Sequence, residues 1–356
     1  MEIIENWNCV RILGRTPVSE DGLKLIWSGS GAEFIFRGTE LGIDITGGTS
    51  LYQPWISLIM DGAWLMHMPV QEGLNRFIFL KGLDNTIEHN IRIVKDTQAM
   101  PDDEDSFVIL NSLVYDGQIK KTKDYKYRIE FIGDSITSGE GMLGAHDSMD
   151  WISPYFGVAQ HYGVLVCSKL SAEYRLISQS GWGIVNAWDN NTTCTLPLVY
   201  ESLGCERGIA DYDFESWRAD VVIINLGTND EGSFHNQGYT DPLTGNVHKM
   251  RLNEDGSYNA DDIKVIQKGV VDFLKTLRQD NPKAYLVWVY GMLGDGLGRF
   301  IKAAVDEYVI KTEDKKASYL PLPDTKDDGF GSRQHPGPKS HQKSAEVIVN
   351  YLKELL

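Results

Sequence analysis

The chain has no apolar run near the roughly 20 residues that a bilayer-spanning helix needs, and its 356 residues include only four cysteines. The first absence excludes a helical membrane span. The cysteines, Cys9, Cys167, Cys194 and Cys205, form no C-x-x-C pair and no metal-ligand spacing, which excludes a zinc ribbon or a dense disulfide scaffold. Cys194 and Cys205 could pair in an oxidising compartment; buried or free thiols are the expectation. Basic residues are also short, with 34 Lys and Arg against 50 Asp and Glu and a formal charge of −16. Such a surface repels phosphate backbones and anionic lipid, so neither nucleic acid nor a membrane is the expected partner. The first residues, Met1-Glu2-Ile3-Ile4-Glu5-Asn6, lack the basic start and apolar stretch of a secretory signal, which points to the cytoplasm. Internal repeats and low-complexity segments are absent too.

What is present suits a folded protein of two domains. Hydrophobic residues make up 42% of the chain, enough for a sizeable core. The first third reads as short strands broken by turn residues, at 10–13, 23–27, 32–37, 41–46, 55–60, 64–68, 76–80, 86–94 and 107–115. Asp61-Gly62 suits a tight hairpin between the fifth and sixth. No helical stripe interrupts them, so a β-sandwich or jelly roll is expected over 1–122. The polar, lysine-rich stretch 117–126 reads as a linker.

From there the pattern alternates. Residues 128–132, 174–178, 221–226, 284–290 and 317–322 are compact apolar strands, as expected where both faces of a parallel sheet are covered. Ile263, Ile266, Val270, Phe273, Leu274 and Leu277 repeat at three or four, predicting an amphipathic helix over 261–279 that Asn281-Pro282 stops. Ala345, Ile348, Leu352 and Leu355 predict a second, terminal helix. Residues 123–356 are therefore expected to form a three-layer α/β/α domain on a five-stranded parallel sheet, with ligands bound beyond the carboxyl ends of the strands.

Four short strings sit at those ends. Gly133-Asp134-Ser135 follows the first strand, Ser180-Gly181 the second, Gly227-Thr228-Asn229-Asp230 the third, and His335-Pro336 comes after the fifth. Each alone has an ordinary reading: a helix N-cap, a glycine turn, an Asx turn, a surface histidine. Together they supply what acyl transfer needs, namely a nucleophile, a base, and donors for a developing oxyanion.

These blocks resemble those of the GDSL/SGNH hydrolases, and the resemblance runs from about residue 128 to the end. The first third is similar to the jelly roll that precedes the hydrolase in carbohydrate esterase family 2, where Gly14-Arg15 and Phe34-Ile35-Phe36-Arg37-Gly38-Thr39 fit the pattern. The resemblance implies an acetyl esterase acting on xylan- or mannan-type oligosaccharides, with no metal or organic cofactor. It assigns Ser135 as nucleophile, His335 as base, and the N–H groups of Ser135 and Gly181 with the Asn229 amide as oxyanion donors. Gly183 is the rival for the glycine role, and Trp182 either stacks on a sugar or fills the core.

One position departs from the family. The SGNH pattern has Asp three residues before the histidine, and here Ser332 stands there. The resemblance then implies a Ser–His dyad oriented by a backbone carbonyl. The carbonyl or hydroxyl of Ser332 is the expected acceptor, Asp327 or Asp328 a substitute, and Arg333 an electrostatic opponent. His235 and His248, in a long polar insertion at 231–260, lack the neighbours of a metal site. In that insertion, Asn236-Gln237-Gly238-Tyr239 is expected either at the rim of the cleft or on a plain surface loop. His161 and His341 read as structural. Two other functions suit the same residues: a thioesterase or lipase-like enzyme for longer acyl chains, and a carbohydrate-binding protein with an inactive hydrolase half.

Overall fold

A computed structural model describes residues 2–4, 7–205 and 210–356. The first third forms two antiparallel sheets packed face to face. One contains Gly22–Lys24, Phe107–Tyr115, Glu40–Gly48 and Gly73–Lys81; the other contains Gly31–Arg37, His89–Lys95, Trp55–Met60 and Ala63–Pro69. Alternate side chains from both fill an apolar interior, among them Phe34, Phe36, Ile43, Ile45, Leu58, Ile91 and Leu110. Asp61 and Gly62 have φ of 53° and 82°, the doubly left-handed pair of a type I′ hairpin, and Met60 pairs with Ala63 across it.

The stretch expected as a linker contains a strand. Gln118–Lys120 pairs antiparallel with Ile35–Arg37 at the edge of the second sheet. Its lysines obscured it, yet an edge strand is where lysine belongs, because charge there discourages pairing with other chains.

Five parallel strands follow: Tyr127–Gly133, Ala172–Ser178, Val221–Asn225, Tyr285–Tyr290 and Ala317–Pro321. Taken in that order as one to five, they lie side by side as two, one, three, four, five. The helices are α1 (Ser135–Ser138), α2 (Tyr162–Leu170), α3 (Thr228–Ser233), α4 (Ala260–Asp280), α5 (Gly298–Thr312) and α6 (Pro338–Leu355). Strand periodicity divides the core in two. Val222, Ile224, Leu286 and Trp288 pack with α4 and α5, while Val221, Ile223, Val287 and Val289 pack with α2 and α6. All six apolar residues read as the face of α4 are buried, each worth about 1.5–3 kcal/mol. Asn259 caps that helix through the N–H groups of Asp261 and Asp262, and it ends at Asn281 before Pro282. Among the described residues no helix is long and apolar enough to cross a membrane.

The sandwich and the α/β layers share a polar seam. Arg15 is fully buried; its guanidinium lies 3.1 Å from Glu130 and donates to the carbonyls of Tyr200 and Ser202, with the rings of Tyr200, Tyr212 and Phe214 around it. Arg11 reaches Glu173 at 2.7 Å. Removing one partner of such a pair would strand the other charge, which typically costs about 3–5 kcal/mol. Gly14-Arg15 thus belongs to this seam.

Candidate active site

Register assembles the site. Gly133, the last residue of the first parallel strand, is in line with Ser178 on one neighbour and Asn225 on the other. Two residues beyond each lie Ser135, Ser180 and Gly227, so three distant segments leave the sheet at one level. This is also the point where the strand order reverses, and there the diverging loops leave a crevice.

Ser135 opens α1. The Asp134 carboxylate caps the helix by accepting from the Ile136 N–H at 3.0 Å. Burial pushes the Asp134 carboxyl up to about 7. The Ile136 hydrogen bond pulls it down, and the nearby carboxylates of Asp230 and Glu140 push it further up. The Ser135 hydroxyl lies 2.8 Å from Nε2 of His335.

The histidine comes from a loop 200 residues away, stitched to the segment that follows the nucleophile. Gly141 O accepts from the Ser332 N–H at 2.9 Å and Ser148 O from the Arg333 N–H at 2.7 Å. The expected orienting group is corrected by one residue: Nδ1 of His335 lies 2.9 Å from the carbonyl oxygen of Arg333. The Ser332 carbonyl instead accepts from the His335 N–H, and its hydroxyl faces Gly141 O. Arg333 and Gln334 both have positive φ, 55° and 58°, which turns the Arg333 carbonyl back under the ring. Asp328 pairs with Lys339 at the surface and takes no part.

Arg333 is no simple opponent of the imidazole. Its guanidinium lies 3.0 Å from the carboxylate of Glu140, which is buried and 3.8 Å from His335 Nε2. Glu140 escaped the sequence reading, although Gly139-Glu140-Gly141 lies just past the nucleophile.

Residues 179–182 form a tight turn closed by the Trp182 N–H to the Gln179 carbonyl. Gly181 sits third in it with φ of 79°, the left-handed value a type II turn demands there. Among the described residues no backbone carbonyl accepts from the N–H of Ser135 or of Gly181, and both residues line one cavity. Gly183 is buried instead against Asp230, whose carboxylate an added Cβ would meet at 2.4 Å. The Asn229 amide donates to the Trp182 carbonyl at 3.0 Å, which leaves its second hydrogen for the cavity it also lines. Burial pushes Asp230 up to about 6 against the pull of the Val185 and Ile184 N–H groups it accepts from. That bond ties the third block to the loop of the second.

The cavity above holds about 940 Å³ and opens to solvent. Trp182, Trp188, Trp151 and Tyr52 stand around it among polar groups such as Asp102, Asp189 and Asn191. Trp182 is half-buried; it lines the cavity and packs on the core. Gly232 reaches the wall, whereas residues 236–239 do not; Asn236 acts from behind, donating to the Trp188 carbonyl. His161 and His341 are wholly buried and accept from the N–H groups of Gly163 and Tyr162, and burial pushes both imidazoles down, His341 to about 3. Among the described residues no group of three or more His, Cys, Asp or Glu could hold a metal.

Comparison with known proteins fits this geometry. The family model for the carbohydrate esterase 2 N-terminal region matches residues 12–113. The chain is similar to the solved acetyl xylan esterase Est2A from the rumen bacterium Butyrivibrio proteoclasticus, with 36% identity, 99% of both chains covered and a TM-score of 0.96. It is 25% identical over 353 residues to the cellulase/esterase CelE of Acetivibrio thermocellus, covering 96% of this chain and only 39% of that protein. To an acetylxylan esterase/glucomannan deacetylase of Cellvibrio japonicus it is 23% identical over 360 residues, covering 98% of this chain and 89% of that one.

Proposed function

The chain belongs to carbohydrate esterase family 2, and from that premise we propose that it is a serine esterase removing O-acetyl groups from xylan- and mannan-type plant polysaccharides. The observation that supports this most is the 2.8 Å contact between the Ser135 hydroxyl and His335 Nε2 in an open cavity walled by aromatic and polar side chains. Relatives described as acetylxylan esterases and a glucomannan deacetylase agree with it.

In this reading His335 Nε2 takes the proton as Ser135 Oγ attacks the acetyl carbonyl carbon. The carbonyl oxygen becomes negative and faces the N–H groups of Ser135 and Gly181 and the Asn229 amide. Collapse breaks the bond to the sugar oxygen, which leaves with the proton from His335. Water then attacks the acetyl-serine while His335 accepts its proton; acetate departs and Ser135 Oγ is reprotonated. The Arg333 carbonyl accepts from Nδ1–H throughout, fixing the tautomer that leaves Nε2 basic.

The walls favour a sugar over a long acyl chain, because polar groups stand among the rings where a lipid would need continuous apolar surface. Parent and Ser135→Ala proteins are to be compared on acetylated xylo- and manno-oligosaccharides by mass spectrometry. Loss of acetyl groups with the parent alone is expected. Faster turnover of p-nitrophenyl octanoate than acetate would overturn the substrate class, and activity in Ser135→Ala the mechanism.

A further inference from the structure

The loop joining the two sheets of the sandwich, residues 96–106, leaves its own domain and reaches the catalytic cavity. Its start is anchored at Asp96, buried, which accepts from Ser57 Oγ and His67 on the sandwich and from the Val158 N–H on the α/β side. Farther along, Met100, Pro101 and Asp102 line the cavity. Asp103 accepts from the N–H groups of Leu51 and Tyr52 and from Ser50, contacts that hold its carboxyl down at about 2 against the effect of burial. Tyr52, fixed in this way, is also on the cavity wall.

Between these anchors lies Gln98, only 2% exposed. Its side-chain oxygen accepts from the Ser180 N–H at 2.8 Å, and its own carbonyl accepts from the buried Lys95 ammonium at 3.0 Å, which also donates to Ile26 O. Ser180 is the second residue of the turn whose third residue is Gly181. Peptides in such turns flip readily between type I and type II, and a flip of the Ser180–Gly181 unit would reverse the Gly181 N–H. The neighbouring bonds, from Trp188 N–H to Gly181 O and from Asn229 to Trp182 O, hold the exit of the turn. Gln98 holds its entrance, from the other domain.

We propose that Gln98 is a positioning residue for the oxyanion loop, so that the sandwich is a working part of the esterase site. This rests on the esterase reading above. A preset donor costs nothing to reorganise during reaction, whereas a turn that must first be ordered gives up part of that advantage. Gln98 also lines the cavity but is almost wholly buried, so the loss falls on the chemical step far more than on substrate binding.

The test compares Gln98→Met, which keeps volume and removes the acceptor, with Gln98→Glu, which keeps an acceptor near Lys95. With p-nitrophenyl acetate, Gln98→Met should lose about 10- to 100-fold in kcat, the range for a slightly misplaced catalytic group, with KM within about twofold. Gln98→Glu should regain most of it. Hydrogen exchange at the Ser180 N–H should quicken in the Met variant alone. Unchanged kcat in a folded Gln98→Met protein overturns the proposal, as does a loss confined to KM or a Glu variant no better than Met. Should Gln98→Met fail to fold, Gln98→Asn, which withdraws the acceptor by one methylene, carries the same expectations. Ester hydrolysis by the parent, absent in Ser135→Ala, tests the underlying reading separately. Exchange at Ser180 reads the bond whether or not an ester is cleaved.

Discussion

The carbonyl oxygen of Arg333 lies 2.9 Å from Nδ1 of His335, where SGNH enzymes with a full triad have a carboxylate. A neutral acceptor can fix the tautomer and tilt of the ring but contributes little charge to stabilise an imidazolium. Orientation and charge compensation therefore come from different groups here: the carbonyl supplies the first, and Glu140, 3.8 Å from Nε2, is placed to supply the second.

Because the acceptor is Arg333's backbone, Ser332→Ala should keep kcat within about twofold. The weak contact of its hydroxyl with Gly141 O, at 3.4 Å, is worth at most about 1 kcal/mol of stability. Asp328→Asn should be equally silent, since Asp328 pairs with Lys339. Steady-state kinetics on p-nitrophenyl acetate check both; collapse of either variant would return the orienting role to a side chain.

Glu140→Gln should lower kcat about tenfold. Unit charges 3.8 Å apart interact by about 4 kcal/mol at an effective dielectric of ~20, and Arg333, bound to the same carboxylate oxygen, cancels much of that. The remainder acts when the imidazolium forms. Parental kcat in the Gln variant would show that the carboxylate serves only to hold Arg333.

Asn229→Ala should cost about 100- to 1000-fold in kcat, the usual price of one oxyanion donor. A larger rise in KM than fall in kcat would mean that its hold on the Trp182 carbonyl matters more than any direct role.

Asp134 predicts a pH dependence of stability. Its folded-state value of about 7 lies above the ordinary 3.8, so between those limits the folded protein binds the extra proton. Its contribution is therefore greatest below about pH 4 and is lost as the pH rises to about 7. Asp134→Asn cannot titrate, so its stability relative to the parent should climb over that interval by an amount of the order of a few kcal/mol and then level off. The buried His161 and His341 act oppositely, their neutral forms favouring the fold above about pH 6.5, but they cancel in the difference. Melting temperatures of both proteins from pH 4 to 8 check this; a flat difference would contradict a buried carboxyl that keeps its proton up to about pH 7.

Much of this was legible in the residues. The apolar stripe of α4, the Asp61-Gly62 hairpin and the runs of parallel strand are local patterns whose periodicity survives into the fold. Ser135, Gly181, Asn229 and His335 were nameable because their strings resemble the blocks of the GDSL/SGNH hydrolases and because each lies at a strand end or in a loop leaving one, positions that a parallel sheet collects at one end. Gln118–Lys120 was not legible, since a short edge strand needs only one partner and no apolar face. Neither was Gln98, a glutamine in a loop of the other domain, with no periodicity or motif to mark it.

Sequence alone determined most of the strands, the two longest helices and what chemistry the strand-end residues could do, because hydrophobic period and residue type are properties of neighbours along the chain. Tertiary structure alone decided which carbonyl meets Nδ1, that Glu140 and Arg333 meet beside the imidazole, and that a sandwich loop braces the turn at Gly181. Those are matters of ångströms between segments up to about 190 residues apart, set by how two packed cores and a buried polar seam fix the loops against each other.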